Sequence, residues 1–142
     1  MTISAILSRK DEKLLSVQCN TRVGEALKLL ADNKIGSLPV LKEGRVVGIM
    51  SERDIIYCLA RDGAPMLDWQ VEQVMTSPAI VVTPDVPALS ALSMMSKRRI
   101  RHLPVVENDS LIGIVSIGDL VAYRISRIEQ EAEAMRAYIQ SA

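Results

Sequence analysis

IGSLPVLKEGRVVGIMSERDI, running from Ile35 to Ile55, and IRHLPVVENDSLIGIVSIGDL, running from Ile100 to Leu120, decide the fold. A shift of 65 positions lays the first on the second without a gap, and Ile, Leu, Pro, Val, Gly, Ile, Ser and Asp recur at matched places. The match runs backward through Val17 on Val82, Ala26 on Ala91 and Leu27 on Leu92, so a whole supersecondary unit is repeated. Two equivalent units, meeting near residue 65, are therefore expected in one chain.

Each copy reads as a short apolar run, a helix, two strands joined by a polar turn, and a second helix. Val23, Ala26, Leu27, Leu30 and Ala31 have helical spacing, which predicts an amphipathic helix ending near Lys34. Ser37 to Leu41 and Arg45 to Met50 are apolar, β-branched runs around a predicted three-residue tip, Lys42-Glu43-Gly44. Their counterparts are Leu103 to Val106 and Leu111 to Val115, with Asn108-Asp109 in the turn. Helices are expected to resume at Ser51 and Ser116, both good capping residues. Asp119 to Gln140 predicts a long final helix with apolar residues at Leu120, Val121, Ile125, Ile128, Ala132, Met135 and Ile139 and charges on its other face.

The recurring string with chemical content is Gly48-Ile49-Met50-Ser51-Glu52-Arg53-Asp54, answered by Gly113-Ile114-Val115-Ser116-Ile117-Gly118-Asp119. It falls where a strand gives way to a helix, whose first N–H groups lack intrahelical partners and favour an anion. Ser51 and Ser116 add hydroxyls, and Asp54 and Asp119 each offer two acceptor oxygens to a ribose diol. Gly48 and Gly113 would let a ligand approach the backbone. The same S-x-x-D spacing is also a helix-capping arrangement, and the spacing alone does not separate the two readings.

These paired strings, IGSLPV with GIMSERD and IRHLPVV with GIVSIGD, resemble the two halves of a CBS (cystathionine-β-synthase) domain pair, or Bateman module. Val71 to Thr76 resembles the segment that opens such domains. The likeness spans about Ile3 to Arg124 and implies an α/β (α+β) fold: two tandem β-α-β-β-α repeats packed about a pseudo-twofold axis. Repeat 1 is expected over residues 1–65 and repeat 2 over 66–124, with a C-terminal helix extension at 125–142. Two clefts between repeats are implied, suited to AMP, ADP, ATP, NAD or S-adenosylmethionine, with no obligatory cofactor.

Carried over residue by residue, the resemblance makes Asp54 and Asp119 ribose-binding, with Ser51 and Ser116 near ribose or phosphate. Thr21 matches a threonine that some members use against the ribose, but its counterpart here is Val86. Ile35 with Pro39, and Ile100 with Pro104, match the strand entry that lines the base pocket. Lys97 to His102 is the one basic cluster. Arg101 and His102 match the place where nucleotide-binding members reach phosphate, and Arg101 adds a fixed guanidinium fork. The two clefts are accordingly expected to differ.

Composition narrows the remaining classes. The 142 residues are 49% hydrophobic and 24% charged, enough apolar side chain for a folded core. Seventeen basic residues balance seventeen acidic ones, which argues against a nucleic-acid or anionic-membrane surface. MTISAILSRKDEK lacks the pattern of a secretory leader, and no stretch is apolar enough to span a bilayer, so a cytoplasmic site is expected. Cys19 and Cys58 have no metal-ligand spacing and read as free thiols. One histidine and no phosphate-binding loop leave no catalytic constellation. A regulatory homodimer acting on an unidentified protein is the leading expectation, and a ligand-free scaffold working through the last helix is the alternative.

Overall fold

The structure, a computed structural model, describes residues 1–141. Two hairpins form its centre. Strand β2 (Ser37–Lys42) pairs antiparallel with β3 (Arg45–Ser51), and β4 (His102–Glu107) pairs with β5 (Ser110–Ser116) in the same register. Ahead of them, β1 (Val17–Gln18) lies parallel to β2, whereas its counterpart in the second repeat is a single bridge from Val82 to Val105.

The hairpin tip is shorter than the predicted three residues. Lys42 pairs with Arg45, so only Glu43 and Gly44 turn, at φ of 52° and 79°. Asn108 and Asp109 do the same at 52° and 63°. Two successive positive φ values give a turn whose twist matches that of the flanking strands, which is why two residues suffice.

Helices α2 (Val23–Asn33) and α4 (Ala88–Arg98) pack one face on each sheet and stop at corresponding residues, Lys34 and Arg99, in left-handed conformation. The Lys34 N–H turns back to the Leu30 and Ala31 carbonyls, closing the helix end without glycine. Helix α3 (Glu52–Asp62) and the long α5 (Ile117–Ser141) follow the two hairpins. No helix among the described residues is long and apolar enough to cross a membrane.

Two apolar cores result, and they do not follow chain order. The first gathers Val23, Leu30, Leu38, Met50 and Ile55 with Met66 and Val71, which lie beyond residue 65. The second gathers Ala91, Met95, Leu103, Val115 and Leu120 with Ile3 and Ile6 of α1 (Ile3–Arg9). Backbone bonds fix both exchanges: Ile3 N–H donates to Val86 O, and Val71 N–H donates to Thr21 O. Each repeat's opening segment thus seals the other repeat, and a cut at residue 65 divides the chain but not the cores.

The opening segments correspond at an offset of 68, not 65, placing Ile3 with Val71 and Leu7 with Met75. They cross directly over the matched strand glycines, Gly48 and Gly113. A Cβ on Gly48 would meet Met75 Sδ at 2.6 Å and Thr76 O at 2.8 Å, and one on Gly113 would meet Leu7 Cδ2 at 2.7 Å. The room that Gly48 and Gly113 were expected to leave for a ligand is filled by chain, so neither glycine faces a cleft.

Candidate ligand-binding clefts

Two clefts open between the repeats, and each draws on both. The first is lined by Ser51, Asp54 and Thr76 together with Ile100, Arg101 and His102 of the other hairpin. The second is lined by Ser116, Asp119 and Lys10 together with Ile35, Ser37 and His102. Their volumes, about 190 and 230 Å³, are similar, so chemistry and not size distinguishes them.

In the first cleft Ser51 caps α3: its Oγ accepts from Asp54 N–H at 3.2 Å, while Ser51 N–H donates to Asp54 Oδ2 at 2.9 Å. This is the capping box that the sequence left open as an alternative. It does not exhaust the carboxylate, because Asp54 Oδ1 turns to the Thr76 hydroxyl, which donates at 3.0 Å. That oxygen and that hydroxyl form a small polar station at the cleft edge. Pro78, Ala79, Ile80 and Ile100 supply an apolar wall, while Arg53, Arg99, Arg101 and His102 supply cationic and hydrogen-bonding groups. Apolar wall, acid–hydroxyl pair and guanidinium groups are what the base, sugar and phosphate of a nucleotide require.

The second cleft repeats the cap and then departs. Ser116 N–H donates to Asp119 Oδ2 at 2.8 Å and Asp119 N–H to Ser116 Oγ at 3.1 Å. The same Oδ2 receives the Lys10 ammonium at 2.8 Å, and Lys10 Nζ also donates to the Ile114 carbonyl at 2.9 Å. Lys10 therefore holds Asp119 Oδ2 in an ion pair at the cleft wall. Burial pushes the Asp119 carboxyl upward, but the Lys10 ammonium and the Ser116 N–H outweigh it and hold the group below the usual carboxylate range. Lys13 and Lys34 add further positive charge to this wall.

Ser37 and His102 occupy matched positions on β2 and β4, and both line both clefts. Ser37 is buried, and its Oγ has no hydrogen-bond partner among the described residues. Burial lowers the His102 pKa; Glu52 and Asp119 oppose that, while Lys10 and Arg101 reinforce it. His102 is therefore neutral near pH 7.

Of the sequence-predicted residues, Asp54, Ser51, Ile100, Arg101 and His102 come together in the first cleft, and Asp119, Ser116 and Ile35 in the second. Pro39 and Pro104 are buried within their strands and line neither cleft. Thr21 also lies outside both, its Oγ1 accepting from Gln18 N–H at 3.1 Å in the turn before α2. The residue beside Asp54 is instead Thr76. Sequence reading missed Thr76, Lys10 and Ser37. A repeat search allowing the three-residue change of offset before residue 80 would have set Ser8 on Thr76 and brought Lys10 into view. Among the described residues no group of three His, Cys, Asp or Glu side chains is placed to hold a metal.

Residues 3–61 and 71–126 each match the sequence profile of the CBS domain. The chain belongs to the CBS domain family. It is a tandem CBS pair followed by a long helix, and the family's pairs are generally regulatory, not catalytic. The CBS-domain protein ATU1752 from Agrobacterium tumefaciens is 34% identical, with a TM-score of 0.82, covering 87% of this chain and 99% of that one. The CBS pair of MJ0100, solved with 5′-methylthioadenosine and S-adenosyl-L-methionine, is 27% identical at a TM-score of 0.78, covering 89% and 98%. CBSX2, solved with AMP, is 27% identical at 0.76, covering 88% and 96%.

Proposed function

We propose that this CBS pair is a non-catalytic sensor that takes an adenosyl ligand, of the AMP, ADP, ATP or NAD class or S-adenosylmethionine, in the Asp54 cleft. It relays energy or redox state to a partner protein, working as a homodimer in the cytoplasm. The observation that carries the reading is the Asp54–Thr76 station set between an apolar wall and Arg101 with His102. The ligands in MJ0100 and CBSX2, all adenosyl compounds, support the class. The Asp119 cleft is the weaker site, because a ribose there competes with Lys10.

A ligand switches a protein only through unequal affinity for two states. The opening segments offer the physical means: Thr76 belongs to the strap over the first repeat and touches Asp54, so ligand contacts at that carboxylate pull on a segment that seals a core.

Calorimetry with AMP, ATP, NAD and S-adenosylmethionine tests this. One dominant site is expected, lost in Asp54→Ala and kept in Asp119→Ala. A ligand held at about 100 times its dissociation constant adds roughly 2.7 kcal/mol to apparent stability. The absence of heat and of any melting shift at millimolar ligand would refute the sensor and leave the scaffold reading, for which the exposed stripe on α5 speaks. Full binding by Asp54→Ala would refute the ribose assignment.

A further inference from the structure

The family match ends at residue 126, yet α5 continues to Ser141. Along it Val121, Ile125, Ile128, Ala132, Met135 and Ile139 recur at alternating steps of four and three. That is a heptad seam over more than two repeats, with Ile125, Ala132 and Ile139 at a and Val121, Ile128 and Met135 at d. The five larger side chains are between 41% and 66% exposed, while Leu120, on a different face, is buried in the second core. A helix carrying such a stripe and projecting past its own domain needs a covering surface.

The flanking charges say which surface. Position g holds Arg124 and Glu131; position e holds Glu129 and Arg136. In a parallel pair of identical helices, each g residue faces the e residue five places on in the other copy. Arg124 then meets Glu129, and Glu131 meets Arg136, on both sides of the seam. In an antiparallel pair aligned on the same six residues, g faces g and e faces e. Glu131 would then meet Glu131, and Glu129 would meet Glu129. Like charges penalise that arrangement, and opposite charges favour the first.

We infer that α5 forms a parallel two-stranded coiled coil with α5 of a second copy of this chain, its direction set by the Arg124–Glu129 and Glu131–Arg136 contacts. This rests on the homodimer reading above and adds the seam, the direction and the charge code. The weak contact from Arg127 to Glu131 within one helix, 3.9 Å between half-exposed groups, leaves Glu131 free to serve both.

Charge exchange in the whole chain provides the test, since these positions are exposed and their substitution leaves both cores intact. Sedimentation equilibrium at low salt is expected to give the mass of two chains at micromolar concentration. Glu129→Arg sets two arginines face to face on both sides of a parallel seam, weakening the dimer by roughly tenfold. Adding Arg124→Glu restores opposite charges and returns the affinity to within about threefold of the parent. In the antiparallel pair Glu129→Arg merely exchanges one like-charge contact for another, and the double variant gains nothing. A dimer indifferent to Glu129→Arg, a double variant no tighter than the single one, or a mass of three or more chains overturns the parallel seam while leaving association intact. A single-chain mass for the parent overturns the homodimer reading as well.

Discussion

Replacing Lys10 with methionine keeps most of the side chain's apolar bulk and deletes its charge, which isolates the bond to Asp119. Lys10 and Asp119 are only 17% and 23% exposed, their contact is 2.8 Å, and the same ammonium satisfies the Ile114 carbonyl. A charge-assisted hydrogen bond contributes about 1.5–3 kcal/mol when well buried, and partial solvation here reduces that to about 1–2 kcal/mol. For a chain of this size the melting temperature falls by roughly 5 °C. The loss has a pH signature. Asp119 is held below the usual carboxylate range in the folded chain, so as pH falls the unfolded chain takes up the proton first. Its stabilisation is therefore complete above about pH 4 and disappears as the folded carboxyl itself protonates. Lys10→Met should flatten the acid limb of the stability curve without abolishing it, because Ser116 N–H still holds the carboxylate. Chemical denaturation from pH 2.5 to 7 gives both numbers, and a double-mutant cycle with Asp119→Asn should return a coupling of about 1 kcal/mol. The variant should also show a second adenosyl site by calorimetry. A melting temperature within a degree of the parent, together with an unchanged acid limb, would refute the claim that Lys10 pins Asp119.

The strand glycines are not equivalent. Gly48→Ala drives a methyl into the Thr76 carbonyl at 2.8 Å, which is backbone and cannot step aside, whereas Gly113→Ala meets only the end of the Leu7 side chain. Thermal melts should show Gly48→Ala destabilised by about 1–3 kcal/mol and Gly113→Ala by distinctly less; equal losses would contradict the strap geometry. For His102, burial keeps the folded pKa below about 6.5, so stability from this group falls as pH drops through that value. A phosphate beside the ring reverses the shift. Binding of AMP between pH 6 and 7.5 should consequently take up protons, visible as buffer-dependent heat, and His102→Gln should remove that dependence.

The hairpins, the end of α2 and the starts of α3 and α5 were legible because local chemistry dictates them: alternation of apolar residues, polar turn residues between the strands, and serine caps at Ser51 and Ser116, although the first tip read one residue longer than it is. Asp54 was singled out by the repeated S-x-x-D string together with the likeness to a CBS pair, and Arg101 and His102 by that likeness and by a basic cluster that the first repeat lacks. The opening segments were not. Seven residues of α1 carry too little periodicity to declare a partner, and the offset between repeats changes from 68 to 65 just after them. Lys10 meets Asp119, and Thr76 meets Asp54, across separations that no local pattern reports. The glycines misled for a related reason: Gly48 and Gly113 do mark a close approach to the backbone, but the sequence does not say what approaches.

The exchange of opening segments also bears on how the chain is made. Ile3 and Ile6 leave the ribosome well before Ala91, Met95, Leu103 and Val115, the residues that build the cavity receiving them. Helix α1 must stay solvated, or held by something else, until those later residues have emerged, and only then can it close the second core. A pair of repeats that looks like two beads in sequence should therefore fold as one cooperative event of high contact order, with its first helix among the last pieces to lock.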